Sequence, residues 1–514
     1  MKPLQPCKFA NLILPLLAGG LIVGLLATLT VAAWPAIVAQ PLAMIDPFWS
    51  INPSSQGVYY GYGGFLLASL FTGVLAVSCV LAISWLTAQG VRRLPNGSWL
   101  RDVLIDILHV LGAIPPVAVG AAVALWLLPA FAQTAGYSGR CYLLGIVALV
   151  GIHWPRLTLA WVQLQDSFSP DLTANARALG ASRWQVLRWV KWPAMKHRVV
   201  ELGLQTLVRC LGEAAGILFV CGMSGQTAFR LDVLNNTDTL ATRLLSTDDA
   251  WTGQHRPALM MVALALAVLC LSLTFFGSRF VRPQQCQSNS DSPKSTRRSS
   301  FVAVVVFVGV SICYMVPLLL AGNVALEGKE VVGVRAMVTA SWNWLQLVVA
   351  CTLLSIPLAL WAVRLPHCSS TMRWLQGCPP IVWAVAVGCF LPYGYRTVGL
   401  LLALTLMQVT WLAVQFADSL KDGPVPARRY HFLRALPQLI GAVLMSMAMA
   451  VGELNILALQ VEPWTTSTLL GDLAFSASAQ QSRPAIVVLL GLALLFALLS
   501  RFIHRIFPAH SDSA

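Results

Sequence analysis

The chain has 514 residues, of which 57% are hydrophobic and 11% are charged, and its formal net charge is +14. About a quarter of the residues of an average soluble domain are charged, so a soluble fold of this composition could not cover its apolar surface. A helix needs about 20 apolar residues to span a bilayer, and the chain contains such runs repeatedly. The composition excludes a water-soluble fold and predicts an all-α integral membrane protein.

Twelve apolar segments are candidate transmembrane helices. Small residues follow the first segment, as they follow a signal peptide, but its apolar run is longer than the usual core of about 7–15 residues. We therefore interpret it as a retained helix. The predicted spans are 9–32, 63–89, 103–129, 141–165, 199–221, 257–281, 301–321, 341–363, 377–393, 397–417, 438–460 and 484–506.

The positive charges lie in short loops between these spans and not on a polar domain, which disfavours nucleic acid as a partner. The loop 33–62 contains no Lys or Arg, whereas the basic loops all fall on the other side of the bilayer if the N-terminus is cytoplasmic. The positive-inside rule then predicts a multi-pass protein of the cell inner membrane with both termini in the cytoplasm. The basic loops are 92–101, 177–198, 282–298 and 421–434.

A polar segment rich in Ser and Gln, 282–300, has no apolar period and is typical of a cytoplasmic linker. It divides the chain into two six-span modules, 1–281 with a core at about 63–275 and 301–514 with a core at about 341–505. Ordered matches between the halves predict a parallel repeat, related by an axis along the membrane normal. They pair Pro115-Pro116 with Pro379-Pro380, Val162–Phe168 with Val414–Leu420, Trp192-Pro193 with Leu436-Pro437, and Gly212-Glu213 with Gly452-Glu453.

The loop after the fourth predicted span, 166–195, has the local signals of a helix pair. An alanine-rich stretch, 173–180, favours a helix that ends at Gly180, and Ser182 is a suitable N-cap for a second helix. Pro193 is expected to stop that second helix. The pattern predicts a short helix, a turn and another short helix on the cytoplasmic side.

This segment resembles the cytoplasmic coupling loop of binding-protein-dependent ABC importer permeases, whose pattern is EAA, three residues, Gly, nine residues and Ile-x-Leu-Pro. The spacing is kept, while Ala174 replaces the Glu, Asn175 the first Ala and Trp192 the Leu of the pattern. The matching residues, which the resemblance implies contact an ATPase, are Ala174, Asn175, Ala176, Gly180, Val190, Trp192 and Pro193.

As a whole, the chain resembles the fused double-module permeases of the ferric-iron and thiamine branch of type I importers. The resemblance implies transport without covalent chemistry, no cofactor, two copies of a separate ATPase subunit and a separate solute-binding protein outside the membrane. The run Asp238–Leu244 is similar to one found in the iron members and suggests ferric iron as the solute, with thiamine or another small solute as alternatives.

The corresponding loop of the second half, 418–437, is shorter and contains two prolines where a helix would begin. We expect a degenerate coupling loop there, marked by Asp418, Pro424 and Pro437.

Ionisable residues inside spans are candidate pathway or gate residues, because burying a charge at bilayer depth is costly. Arg209 and Glu213, spaced i, i+4, could pair on one helix face. Glu453 is the repeat equivalent of Glu213, and Met449 occupies the position equivalent to Arg209. A role in locking helices together remains an equal alternative for these groups.

Other ionisable residues inside the spans show no recognisable metal or acid–base spacing and are interpreted as structural polar contacts. The cysteines form no CxxC pair and lie mostly in apolar runs, so they are expected to fill the core and no metal site is predicted. The ionisable residues interpreted as structural polar contacts are Asp106, His109, His153 and Arg156.

Two other classes of protein fit the sequence less well than a permease. A secondary transporter of the major facilitator type also has six plus six spans and could use 90–97 as its loop motif, although that loop lacks the expected acidic residue. A membrane-embedded enzyme would need a cluster of reactive side chains, which the sequence does not show. The chain also lacks a G-x4-GK[ST] loop, so ATP is expected to bind to another chain.

The topology is testable by reporter fusions or cysteine labelling. The loops 166–198, 282–300 and 418–437 will be found in the cytoplasm, because each has an excess of Lys and Arg. The loop 33–62 serves as the control and will be labelled from outside. An external 282–300 linker would contradict both the six-plus-six assignment and the parallel repeat.

Overall fold

A computed structural model describes most of the chain. The described residues are 10–46, 49–50, 59–95, 97–135, 139–166, 170–222, 229–245, 255–279, 334–363, 368–390, 396–420, 428–451 and 483–506. The predicted linker 282–300, the predicted span 301–321, Pro424 and Glu453 lie outside these residues.

The first half is a series of helices. A pair of two-residue antiparallel strands, β1 (Trp49–Ser50) and β2 (Tyr59–Tyr60), precedes the second of them. A π-helical segment, Val186–Lys191, joins two helices without a break. The helices are α1 (Ala10–Ala39), α2 (Gly63–Arg92), α3 (Trp99–Gly112), α4 (Pro116–Ala135), α5 (Tyr142–Asp166), α6 (Pro170–Ala178), α7 (Arg183–Gln185), α8 (Trp192–Gly212), α9 (Leu240–Leu245) and α10 (His255–Arg279).

The second half contributes α11 (Val334–Val363), α12 (Cys368–Gln376), α13 (Pro380–Phe390), α14 (Arg396–Leu420), α15 (Arg428–Val451) and α16 (Arg483–Ile506). Helices satisfy their own backbone hydrogen bonds, as hydrocarbon requires, so the predicted all-α membrane fold is confirmed. Over the described ranges, six helices are long and apolar enough to cross a membrane, or seven if α3 and α4 form one bent span. A total of twelve spans therefore stays a prediction.

The predicted span 103–129 is wrong as a single helix. It is divided into α3 and α4, which meet at an angle of 87°. The break falls at Pro115-Pro116, because a proline disfavours helical backbone in the residue before it and donates no hydrogen bond. Pro116 instead begins α4, a position where a missing N–H costs nothing.

The predicted span 199–221 is also corrected. α8 ends at Gly212, and Glu213 follows in an extended conformation with φ −81° and ψ 115°. Residues 214–221 form hydrogen-bonded turns, among them Leu218 N–H to Ala214 C=O at 3.0 Å. This segment is fully buried, so its backbone is held by packing and not by a continuous helix.

Helices of the two halves follow the same order, from α2, α3, α4, α5, α8 and α10 to α11, α12, α13, α14, α15 and α16. Both α4 and α13 begin at the second proline of a diproline. The last helix of each half also packs against the other half, α10 on α12 and α13, and α16 on α3 and α4. Such reciprocal packing is what a parallel repeat requires.

An ion pair joins the halves where α16 meets α3. Arg501 Nε donates to Asp106 Oδ1 at 2.7 Å, and Arg501 Nη2 donates to the same oxygen. Both side chains are largely buried, which makes this charge-assisted contact stronger than an exposed pair. Asp106 therefore has a structural contact, in agreement with the sequence interpretation.

Close backbone approach in the first half depends on Gly120 of α4. A Cβ atom placed there would collide with the carbonyl oxygen of Gly216 in the turn segment after α8. Gly216 itself is pressed against Pro116 and Ile152. Glycine is needed at this contact because backbone, unlike a side chain, cannot rotate away.

The variant Gly120→Val will be less stable than the parent, because the added side chain must push α4 away from residue 216. Overpacking of this kind costs about 1–3 kcal/mol or more. The measurement is the melting temperature of the detergent-purified protein. Gly24→Val in α1 is the control, since a Cβ there meets nothing within 4 Å. Equal melting temperatures for the two variants would contradict the described packing.

Candidate functional site

The turn after α6 has the hydrogen bonds of a Schellman C-cap. Gly180 has φ +84°, its N–H donates to Arg177 C=O at 2.9 Å, and Ala181 N–H donates to Ala176 C=O at 3.1 Å. Only glycine adopts this left-handed backbone without strain. The helix end that the sequence predicts at Gly180 is present with the expected geometry.

The next helix begins with a reciprocal capping box. Gln185 N–H donates to Ser182 Oγ at 3.3 Å, while Ser182 N–H donates to Gln185 Oε1 at 2.7 Å. Each side chain satisfies a backbone N–H that the first helical turn would leave without a partner. The glycine turn and this cap together fix the angle between α6 and α7.

Pro193 does not stop the second helix, contrary to the sequence expectation. α7, the π-helical segment and α8 follow one another from Arg183 to Gly212, with Pro193 in the first turn of α8. Trp192 N–H donates to Leu187 C=O, five residues back. A proline has no N–H and its ring crowds the carbonyl four residues earlier, so a wider π turn before it lets the helix continue.

We refer to residues 170–193 as the coupling element. Its surface is unusually apolar for a loop between membrane helices. Leu179 is 89% exposed, and Trp184, Trp189 and Trp192 are all exposed. Of the motif residues, Ala174, Asn175, Gly180 and Pro193 are exposed as well, while Ala176 and Val190 are half-buried. An exposed apolar patch rimmed by charged residues is typical of a protein–protein contact.

The coupling element is fastened to the helix bundle at its base. Asp166, at the end of α5, forms an ion pair with the buried Arg101 of α3. Burial, together with the positive charges of Arg92 and Arg177, lowers the pKa of Lys191 to about 8. Residues of the basic loop 92–101 and of the coupling element therefore lie close together, on one side of the protein.

The degenerate second coupling loop is only partly described. Asp418 lies inside α14 and Pro437 lies inside α15, so the connection between these helices is at most residues 421–427. Pro424 lies in that connection, outside the described residues. This short connection agrees with the prediction that the second loop is shorter than the first. The role of the second loop in coupling stays a prediction.

A cavity of about 440 Å³ lies between the two halves. Helices α3, α5 and α8 line it from the first half, and α12, α13, α14 and α15 line it from the second. Ligand sites often lie at such interfaces and have volumes of about 300–1,000 Å³. We refer to it as the central cavity.

Arg209 and Glu213 both line the central cavity, as their prediction as pathway residues requires. Arg209 is exposed to the cavity, and Glu213 is 8% exposed. Glu213 is not part of the helix face of Arg209, because α8 has already ended; its Oε1 accepts the N–H of Gly216 at 3.2 Å. The expected helical i, i+4 arrangement is therefore wrong, although the two side chains lie at one cavity.

Met449, the predicted repeat equivalent of Arg209, lines the same cavity from α15. The halves are in close contact where a Cβ placed at Gly212 would lie 2.6 Å from the Cβ of Pro379. Both residues belong to matched motifs of the two halves. These two motifs thus meet at the junction of the halves.

Three residues interpreted as structural contacts also line this cavity, namely His109, His153 and Arg156. Arg156 Nε donates to Gly112 C=O at 2.8 Å across α5 and α3, and His153 lies one turn before it. Both border a smaller pocket of about 110 Å³ that Arg209 also lines. The sequence carried no signal for this cluster, because Arg209 comes from another helix and only folding brings it near α5.

Comparison with known proteins gives one family. Residues 81–282 match the model of the binding-protein-dependent transport system inner membrane component. The match includes the coupling element, α8 with Arg209, and α10. No solved structure is significantly similar to this chain.

Three relatives illustrate the similarity. A probable ABC transporter permease protein, YqgH of Bacillus subtilis, is 27% identical over 33% of this chain and 55% of its own length. The phosphate transport system permease protein PstC of Haemophilus influenzae is 25% identical over 51% of this chain and 86% of its own. The phosphate transport system permease protein PstA of Mycobacterium leprae is 22% identical over 45% of this chain and 73% of its own length. The aligned segment thus spans about half the length of the first relative.

Proposed function

Because residues 81–282 match the model of the binding-protein-dependent transport system inner membrane component, we propose that the chain is the membrane permease of an ATP-driven importer. The observation that carries the proposal is the coupling element, with its glycine turn and capping box, at the base of a cavity-lining helix. The named relatives are permease proteins, which transport and do not catalyse covalent chemistry. Inner membrane localisation and multi-pass topology follow from the family and the apolar helices.

A continuous helical rod connects the two parts of the site. From Arg183 to Gly212 the chain remains helical, over roughly 40 Å at the usual rise per residue. One end carries the exposed Trp184 and Trp189, and the other delivers Arg209 to the central cavity. A movement imposed on the coupling element is transmitted along such a rod as a rigid-body shift.

The exposed apolar surface of the coupling element suits a groove on a separate ATPase subunit. Leu179 and the three tryptophans supply apolar area that would be buried on binding. Arg188 and Lys191 supply positive charge at the rim of this surface. The second half would take a second ATPase copy through its shortened loop, 418–437. A separate binding protein would deliver the solute from outside, as the family description implies.

The identity of the solute has two sources of support. Ferric iron is suggested by the run Asp238–Leu244, which in the structure is a buried corner closed by the Asp238–Arg243 ion pair at 3.2 Å and does not line the central cavity. A phosphate-like solute is suggested by the two relatives that are phosphate permeases by name. The run therefore has a packing explanation, which leaves the iron proposal the weaker of the two.

The first test concerns the partner. The purified chain will hydrolyse no ATP, because its sequence has no phosphate-binding loop, and uptake in cells will depend on a partner ATPase. The measurement is phosphate release by the isolated chain beside the chain co-expressed with its candidate ATPase. Uptake that survives loss of every ATPase but collapses with the proton gradient would identify a secondary transporter instead.

The second test concerns the glycine turn. Gly180→Asp will abolish solute uptake and ATPase co-purification at unchanged membrane levels, because it places a charge on the docking surface and strains a positive φ by about 1–2 kcal/mol. Gly180→Asn, which tolerates this backbone and adds no charge, is the matched control and will retain more of both activities.

The equivalent change in the other half will matter less. Pro424→Ala will leave much of the uptake intact, because the second loop has lost the spacing that the first one keeps. If Gly180→Asp transports normally with its ATPase bound, the coupling element does not couple and the proposed function loses its main support.

A further inference from the structure

The charges around the central cavity are distributed unequally between the halves. Among the described residues that line it, two guanidinium groups, Arg156 and Arg209, and one carboxylate, Glu213, come from the first half. The described lining residues of the second half are uncharged, with the amides of Gln376 and Gln415 as their longer polar side chains, together with tryptophan, methionine and aliphatic groups. Cationic groups therefore outnumber anionic ones, and they lie on one wall.

A buried histidine nitrogen without a hydrogen-bond partner adds to this wall. His153 is 4% exposed, and its Nε2 has no hydrogen-bond partner among the described residues. It lines both the central cavity and the adjoining smaller pocket, together with Arg156 and Arg209. A buried polar atom without a partner is costly unless a ligand or water satisfies it, so this atom marks a place where one is expected.

Both arginines line the central cavity and the smaller pocket beside it. The Nε of Arg156 is used by the Gly112 carbonyl, which fixes the plane of its guanidinium. Arg209 is exposed to the cavity, and the ion pairs of the described residues include none between it and a carboxylate. Guanidinium groups bind oxyanions through paired, charge-assisted hydrogen bonds, which a metal cation cannot accept.

We propose that Arg156, Arg209 and His153 form a binding site for a small oxyanion within the central cavity, so that the solute of this permease is anionic. The inference rests on the proposed function, since only a transport protein makes this cavity part of a solute pathway. Glu213 would limit the positive charge and keep the anion from binding too tightly to leave. The second-half residues that the structure describes at this cavity are uncharged and give the anion no other strong partner, so it can move away, as conduction requires.

Binding is tested on the purified full-length chain with radiolabelled inorganic phosphate and, separately, sulfate. We expect saturable binding of at least one of them that equal concentrations of chloride do not displace. Arg209→Gln and Arg156→Gln will each weaken it by about tenfold or more, through loss of a charge-assisted hydrogen bond. Arg209→Lys keeps the charge and loses the planar guanidinium group. Its anion affinity will lie between those of the parent and Arg209→Gln.

Arg198→Gln is the charge-matched control on the same helix. Arg198 binds Glu201 at 2.8 Å, away from the cavity, and Gln205 also donates to that carboxylate. Its anion affinity will equal that of the parent. Absence of saturable binding for both anions, or equal binding by the parent and both cavity Arg→Gln variants, would overturn the oxyanion site.

Co-purification of the partner ATPase is measured in parallel, because it separates this inference from the proposed function. Retained ATPase with no anion binding would refute the oxyanion site alone. Anion binding that depends on Arg209, in a chain that recruits no ATPase, would support the site and contradict the importer proposal.

Discussion

Helical continuity from Arg183 to Gly212 is the constraint on which the proposed mechanism depends. Pro193 interrupts the hydrogen-bond pattern near one end of this rod, and the π-helical turn before it accommodates the missing donor. If the rod ended at Pro193, the coupling element would be a separate appendage of the bundle. Because the rod continues, a displacement at Trp184 must also displace Arg209 or be absorbed by bending.

Both ends of the rod are held by contacts that suit this use. The glycine turn and the capping box fix the end of the rod at Arg183, and the ion pair between Arg101 and Asp166 ties the base of the coupling element to the bundle. At the other end the chain leaves the helix at Glu213 and enters a buried turn segment packed against Gly120. Close backbone contacts of this kind resist displacement, so we expect a rotation of the rod to be accommodated at the central cavity.

Local chemistry made the coupling element predictable from sequence. A left-handed glycine and a Ser182 cap depend only on neighbouring residues, so their positions and conformations are found as expected. The prediction that Pro193 stops the second helix was wrong, because a π turn that accommodates a proline depends on the helix continuing into a packed span. The end of α8 before Glu213 was missed for a similar reason, since the buried segment after it is shaped by tertiary packing. His153 and Arg156 join Arg209 only through the meeting of α5 and α8, which no spacing within one helix records.

Coupling along the rod is tested most directly by the accessibility of the cavity to a hydrophilic thiol reagent. Met445→Cys, which lines the cavity from α15, is introduced into a chain freed of its other reactive cysteines and bound to its ATPase. The labelling rate is compared with and without a non-hydrolysable ATP analogue, in the parent rod and in one broken by Val199→Pro. The account predicts that the analogue changes the labelling rate severalfold in the parent rod and leaves it unchanged in the broken one. An unchanged rate in the parent rod, or the same change in both, would contradict transmission through α8.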